Sequence, residues 1–240
     1  MRSIPDTDTL LKLSLECAEY VSKNISDRQN DVRAMCFWNI HNRVRITQEI
    51  LTFYEMSWKK AGLDINDEDV GEEMTERIIT VTKNLFSDIV SSIEKTSKES
   101  VSLYQDSEVR RVSLNNRSFL YLRNIVQATF ELGLMTKTEF EEWDDILVMR
   151  NLVTHNNSIS DRSKRFVISD ITISMRPGRM MKGPLNTFVI LSERIVRLFF
   201  DWLRTMDRTS KDSKEDQKND PKKDSEENPK RCSKNDDRER

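Results

Sequence analysis

Apolar side chains recur at steps of three and four along most of this chain, and that period commits it to helices. Between residues 30 and 60, Cys36, Ile40, Val44, Thr47, Leu51, Tyr54 and Trp58 follow one another in this way, the interval that gathers side chains on one helix face. Lys59, Lys60 and Gly62 then read as stop signals. A shorter stripe of Leu10, Leu13, Cys17 and Tyr20 or Val21 predicts a helix over 7–24. Beyond an acidic loop at 63–69, Ile78, Val81 or Thr82, Leu85, Ile89 and Ile93 predict another from about 70 to 95. The stretch 94–112 shows no clear stripe and reads as a frayed helix or a mobile loop. Five Gly and five Pro in 240 residues are too few for the tight turns of an all-β fold.

Local capping signals are densest between 115 and 156. One helix should end at Leu132, with Gly133 in the left-handed position that terminates helices and Leu134 after it. Thr136-Lys137-Thr138-Glu139 is a capping box, flanked by Met135 and Phe140 at the staple positions. Two antiparallel helices joined by a short turn follow, the second running from about 137 to 155. The period then changes. Ile171, Ile173 and Met175 alternate with Thr172, Ser174 and Arg176, as in a half-buried strand. Pro177-Gly178 fits a turn and Met180-Met181 a return strand.

The last helix is expected from about 185 to 206. Phe188, Leu191, Ile195, Leu198 and Trp202 line one face, widened by Val189, Ile190, Val196, Phe200 and Leu203. A helix this apolar must be enclosed by its own bundle or by a second subunit. Lys211 to Arg240 holds ten Lys/Arg, ten Asp/Glu and no aliphatic or aromatic side chain. Nothing there offsets the entropy of ordering. The expected organisation is a mostly α helical bundle over 1–208, with a small β-ribbon before the last helix and a disordered charged tail over 209–240.

A net charge of −2 excludes a globally basic nucleic-acid binder but leaves room for a local basic patch. Three scattered cysteines read as reduced thiols, and two His with three Cys lack zinc-ligand spacing. Met1-Arg2-Ser3-Ile4-Pro5-Asp6 lacks a signal-peptide core. No run is long enough to span a bilayer. These features predict a cytoplasmic chain without metal or cofactor.

The chemistry concentrates in Arg150-Asn151-Leu152-Val153-Thr154-His155. It holds one of only two histidines within six residues of an arginine. Imidazole gives and takes protons near neutral pH, and guanidinium offers a fixed planar fork of donors to phosphate oxygens. On an ideal helix Asp144, Asn151 and His155 fall close to one line, while Arg150 sits with Trp143 and Ile146 at the apolar edge. A spacing of five sets Arg150 and His155 about 140° apart. They converge on one phosphate only if the helix loosens, or if two copies face each other across a two-fold axis. An arginine and a histidine near a helix C-terminus are also favoured by the helix dipole without any function. His41, among Phe37, Trp38 and Val44, reads as a core or interface histidine.

This six-residue run resembles the Arg-polar-x3-His signature of the HEPN superfamily, with Asn156 after the histidine a common variant. The resemblance implies a helical bundle, with a HEPN-like core over about 115–206, that usually forms a homodimer near the motif. It further implies a metal-independent endoribonuclease of a toxin–antitoxin or phage-defence system, with RNA as substrate and an antitoxin protein as partner. In that chemistry His155 moves the proton of a 2′-OH transesterification, Arg150 stabilises the phosphorane, and Asn151 orients the groups. Directly after the motif, Arg162, Lys164, Arg165, Arg176, Arg179 and Lys182 face only Asp161 and Asp170. Backbone phosphates are natural ligands for such a stretch. A solvated ribbon edge blunted by charge is the simpler alternative. The competing expectation for the whole chain is a catalytically inactive helical RNA- or protein-binding scaffold.

Overall fold

A computed structural model describes residues 3–26, 29–66, 68–104, 108–114, 119–155, 159–160, 163–169 and 171–218. Its helices are α1 (Asp8–Asn24), α2 (Val32–Lys60), α3 (Glu68–Leu103), α4 (Glu108–Leu114), α5 (Leu122–Glu131), α6 (Lys137–His155) and α7 (Thr187–Lys218). A two-stranded antiparallel ribbon, β1 (Lys164–Ile168) and β2 (Ile171–Met175), stands between α6 and α7. The mostly helical class and the place of the ribbon are those expected from the period changes. No helix among the described residues is long and apolar enough to cross a membrane.

Helix ends follow the capping chemistry. Asp31 caps α2 by accepting the Arg33 amide at 2.9 Å. Gly133 adopts φ 71°, and the Leu134 amide donates to the Thr129 carbonyl at 3.0 Å, which closes α5. In the capping box, Glu139 N donates to Thr136 Oγ1 at 3.2 Å and Thr136 N to Glu139 Oε2 at 2.8 Å. Phe130 and Phe140 stack across the turn with centroids 4.6 Å apart, which locks α5 against α6.

Helices α1, α3 and α6 enclose α7, so its apolar face is consumed within the chain. Phe188, Leu191, Ile195, Leu198 and Trp202 are all buried. Of the two enclosures open to that face, the chain's own bundle is the one the structure shows. Phe37 of α2 stacks on Phe199, and Trp202 Nε1 donates to Thr129 Oγ1 at 3.1 Å. One core cluster thus joins the N-terminal helices to the segment 115–206. A smaller one gathers Leu51, Trp58, Met74 and Ile78.

Three expectations needed correction. The frayed or mobile stretch 94–112 is helical over most of its length, because α3 continues to Leu103 and α4 follows. Its buried stripe does keep helical period, but it is written in Thr96, Ser97, Ser100, Val101 and Tyr104. Ser97 satisfies its hydroxyl on the Ile93 carbonyl at 2.8 Å, whereas the buried Ser100 hydroxyl has no partner among the described residues. A hydrophobicity count does not register them. The strand pairing β2 lies upstream rather than at Met180-Met181. Lys164 pairs with Met175 and Phe166 with Ile173, whereas Met180 makes only an isolated bridge to Ile159. The charges of Lys164 and Arg165 masked the alternation of Phe166 and Ile168.

Finally, α7 extends to Lys218, ten residues into the segment 209–240 that was expected to be disordered. Propagating an existing helix avoids the cost of nucleation. A Lys211–Asp207 pair at 2.7 Å also supports the added turns. Residues 219–240 lie outside the described residues.

Burial leaves a pH signature. Desolvation pushes the thiols of Cys17 and Cys36 from 9.0 up to about 12, and burial also raises Tyr104. Each raised group binds its proton more tightly in the folded state. Its stabilisation is therefore complete below pH 9 and is lost as pH climbs toward 12. The two thiols together should cost about 3 kcal/mol of stability by pH 10. Urea unfolding at pH 8 and pH 10 measures this, and equal midpoints would contradict it.

Candidate functional site around Arg150

Helix α6 carries Arg150-Asn151 at its penultimate turn and His155 as its last residue. The helix does not loosen before its end, so the backbone keeps positions 150 and 155 about 140° apart. The side chain of His155 lies outside the described residues. Within one copy, the backbone therefore gives no help in bringing the two groups together.

Arg150 is about three-quarters buried, its stem held beside Ile146 and Met149 on the core side of α6. Its Nη2 donates to Glu94 Oε2 of α3 at 3.3 Å, and Nη1 to Asn151 Oδ1 at 3.1 Å. Nε is buried and has no hydrogen-bond partner among the described residues. The guanidinium is thus pinned by one carboxylate through a long, single contact, with donor capacity to spare. Asn151 is exposed beside it. Thr154 donates its hydroxyl back to the Arg150 carbonyl at 2.9 Å, which steadies the last turn.

Glu94 is shared. Lys98, one turn further along α3, approaches Glu94 Oε1 at 2.9 Å. Its ammonium also stands 5.7 Å from the centroid of the Tyr121 ring, within cation–π range. Tyr121 is half exposed where the chain enters α5, and Phe119 nearby is 70% exposed. Two cations, one carboxylate, a carboxamide and an outward aromatic ring therefore share one end of the bundle. Sequence inspection missed Glu94, Lys98 and Tyr121. Glu94 and Lys98 are visible as an i, i+4 pair, but nothing local says that α3 meets α6 at that level.

The structure divides the six basic residues after the motif. Lys164 points to the packed side of the ribbon, where it donates to Asp145 of α6 at 2.7 Å and lies 4.5 Å from the Phe166 ring centroid. It anchors the ribbon to α6. Arg165 and Lys182 flank Ser174 on the outer face, through the β1–β2 register and the Ser174–Lys182 bridge. These two, with Arg176 and Arg179, are exposed and make no ion pair among the described residues. Arg162 lies outside them.

Other candidates carry less chemistry. His41 is half-buried between α1 and α2, with Nδ1 3.3 Å from both Ser14 Oγ and the Leu11 carbonyl, which is a packing role. A cleft of about 370 Å³ between α1 and α7 contains Cys17, Arg194 and Arg197. Its arginines are already engaged by Glu142 and Glu193, and its thiol is held protonated by burial. Among the described residues no three His, Cys, Asp or Glu side chains gather as ligands for a metal. No family model, no curated protein and no solved structure matches this chain.

Proposed function

We propose that the chain is a HEPN-like endoribonuclease that cleaves RNA by metal-independent attack of a 2′-OH on its own phosphodiester. The observation that carries this is the company kept by Arg150. The guanidinium of an Arg-Asn-x3-His run stands at a half-open surface beside a second cation, Lys98, and an outward ring, Tyr121. Phosphates recruit paired cations, and unstacked bases are held on aromatic faces. The outer cations of the ribbon extend the path available to an RNA backbone. His155 moves the proton, Arg150 holds the charge that develops on the phosphorane, and Asn151 orients Arg150. Because positions 150 and 155 diverge on one helix, the groups that meet on a scissile phosphate come from two copies. An antitoxin protein covering this surface would be the natural partner in a toxin–antitoxin or phage-defence setting.

One observation favours a second reading, a silent RNA- or protein-binding bundle. Glu94 already neutralises Arg150, so the ground state of the isolated chain is not a ready phosphate cradle. Incubating mixed RNA with the full chain in excess chelator, beside Arg150→Ala and His155→Ala, separates the two. Cleavage lost in both variants with RNA still retained supports the nuclease. Salt-sensitive retention without cleavage supports the silent protein. Neither cleavage nor retention removes RNA altogether.

Under either RNA reading, Glu94→Gln should strengthen RNA retention about three- to tenfold, because the carboxylate competes with phosphate for Arg150 and Lys98. A filter-binding titration reads this, and an unchanged or weaker affinity would show that Glu94 is no competitor.

A further inference from the structure

Helix α2 has two apolar faces, and the fold uses one. Phe37, Ile40, Val44, Thr47, Leu51 and Trp58 are buried against the bundle. On the opposite side, within an arc of about 80°, lie Met35, Trp38, Ile46, Phe53 and Met56. All five are exposed, from 37% for Trp38 to 67% for Met56. With whole-side-chain areas of roughly 150–250 Å², they leave about 500–600 Å² of apolar surface in water. That reaches the top of the range for the largest patch on a monomer.

The order of this stripe narrows what can cover it. Its spacing is the same from both ends: the positions of Met35, Trp38, Asn42, Arg45, Ile46, Glu49, Phe53 and Met56 are symmetric about a point between 45 and 46, with an apolar residue facing an apolar one at both outer pairs. A second α2 laid antiparallel about that point sets Met35 level with the other copy's Met56, and Trp38 level with its Phe53. Ile46 then meets Ile46 close to the axis. Arg45 comes beside Glu49 of the other copy, so the charges in the middle of the stripe are complementary. A parallel pairing would instead put Arg45 on Arg45 and Glu49 on Glu49. With Asn42, Arg45 and Glu49 included, the contact approaches the roughly 800 Å² per partner of a standard interface. The chain beyond α7 cannot substitute, because residues 219–240 contain no aliphatic or aromatic side chain.

We infer that the outer face of α2 is the interface of a homodimer, with two copies of this helix packed antiparallel about a two-fold axis at residues 45 and 46. Neither Arg150 nor His155 lies on α2, so the meeting of those groups proposed above would take a second contact between copies, and loss of cleavage alone leaves this inference untouched.

The full chain carrying Cys232→Ser, which removes the tail thiol while Cys17 and Cys36 stay buried, provides the test. Sedimentation should give a dimer at micromolar concentration. Ile46→Glu with Phe53→Glu should weaken it at least about a hundredfold while helix content and melting stay unchanged, since both side chains are exposed. Ile46→Cys should form a disulfide dimer under mild oxidation. Met35→Cys alone should not, because the two copies of residue 35 would be about 30 Å apart along the pair. A wild-type monomer up to 100-fold higher concentration, a dimer that survives the paired glutamates, or efficient cross-linking through Met35→Cys would each overturn the inference.

Discussion

Replacing Asp31 by alanine is expected to lower the stability of the fold by about 3–5 kcal/mol, a large effect for a single polar substitution. Asp31 is fully buried and Arg33 nearly so. The carboxylate takes Nε of Arg33 at 2.9 Å and Nη2 at 2.6 Å while it caps α2 through the Arg33 amide. Nη1 of the same guanidinium donates to the Tyr104 hydroxyl at 2.9 Å, 71 residues away at the end of α3. Burial alone would ease the proton off Arg33, but the bonds to Asp31 and Tyr104 raise its pKa instead. The guanidinium therefore stays charged inside the protein.

Removing the carboxylate strips the cap, worth about 1 kcal/mol, and leaves a buried cation without its counter-ion. Tyr104→Phe should cost less, about 1–2 kcal/mol, since it leaves the ion pair intact. Urea unfolding of both variants tests the ranking. An Asp31→Ala loss below that of Tyr104→Phe would mean that solvent reaches the pair and that it does not clamp α2 to α3.

On the proposed nuclease reading, cleavage should fall about 10²–10⁴-fold in His155→Ala and about 10²–10³-fold in Arg150→Ala, with folding unaffected. The first figure is what a positioned general acid or base contributes. The second is the cost of one lost donor to a developing oxyanion. Arg150→Lys should not rescue, because an ammonium cannot span Asn151 and a phosphate as the guanidinium fork can. The double variant should be little worse than the poorer single one, since both groups serve the same step.

The 140° divergence along α6 adds a sharper expectation. If each site takes Arg150 from one copy and His155 from the other, mixing the two inactive variants restores one intact site per mixed dimer. If each copy carried its own complete site, the mixture would stay dead. Activity regained on mixing, measured against the same RNA in chelator, decides where the catalytic groups come from. Failure to regain it would rule out a site shared between two copies.

Much of the architecture was legible before any coordinate. Gly133, Thr136 and Glu139 announced the α5–α6 turn because capping is chemistry between neighbours. The alternation of Ile171, Ile173 and Met175 announced a strand because a strand's faces differ every second residue. The failures share a cause. Ser97 and Ser100 keep helical period without hydrophobicity, and their place in the core depends on helices far along the chain. Lys164 reads as one more outward cation until Asp145 of α6 is seen to pair with it. Arg150 and Asn151 stand out as candidates by their spacing, while Glu94, Lys98 and Tyr121, which the fold brings beside them, do not.

What the chain's own order of residues determined was local: helix period, caps, the break to a ribbon, and the arginine placed at the core edge of α6. Which side chain neutralises that arginine, which cations remain outward, and which face of α2 is left uncovered were decided only when α3 packed against both α2 and α6. Charge pairing and burial depend on distances between segments dozens of residues apart, and short-range periodicity carries no information about them.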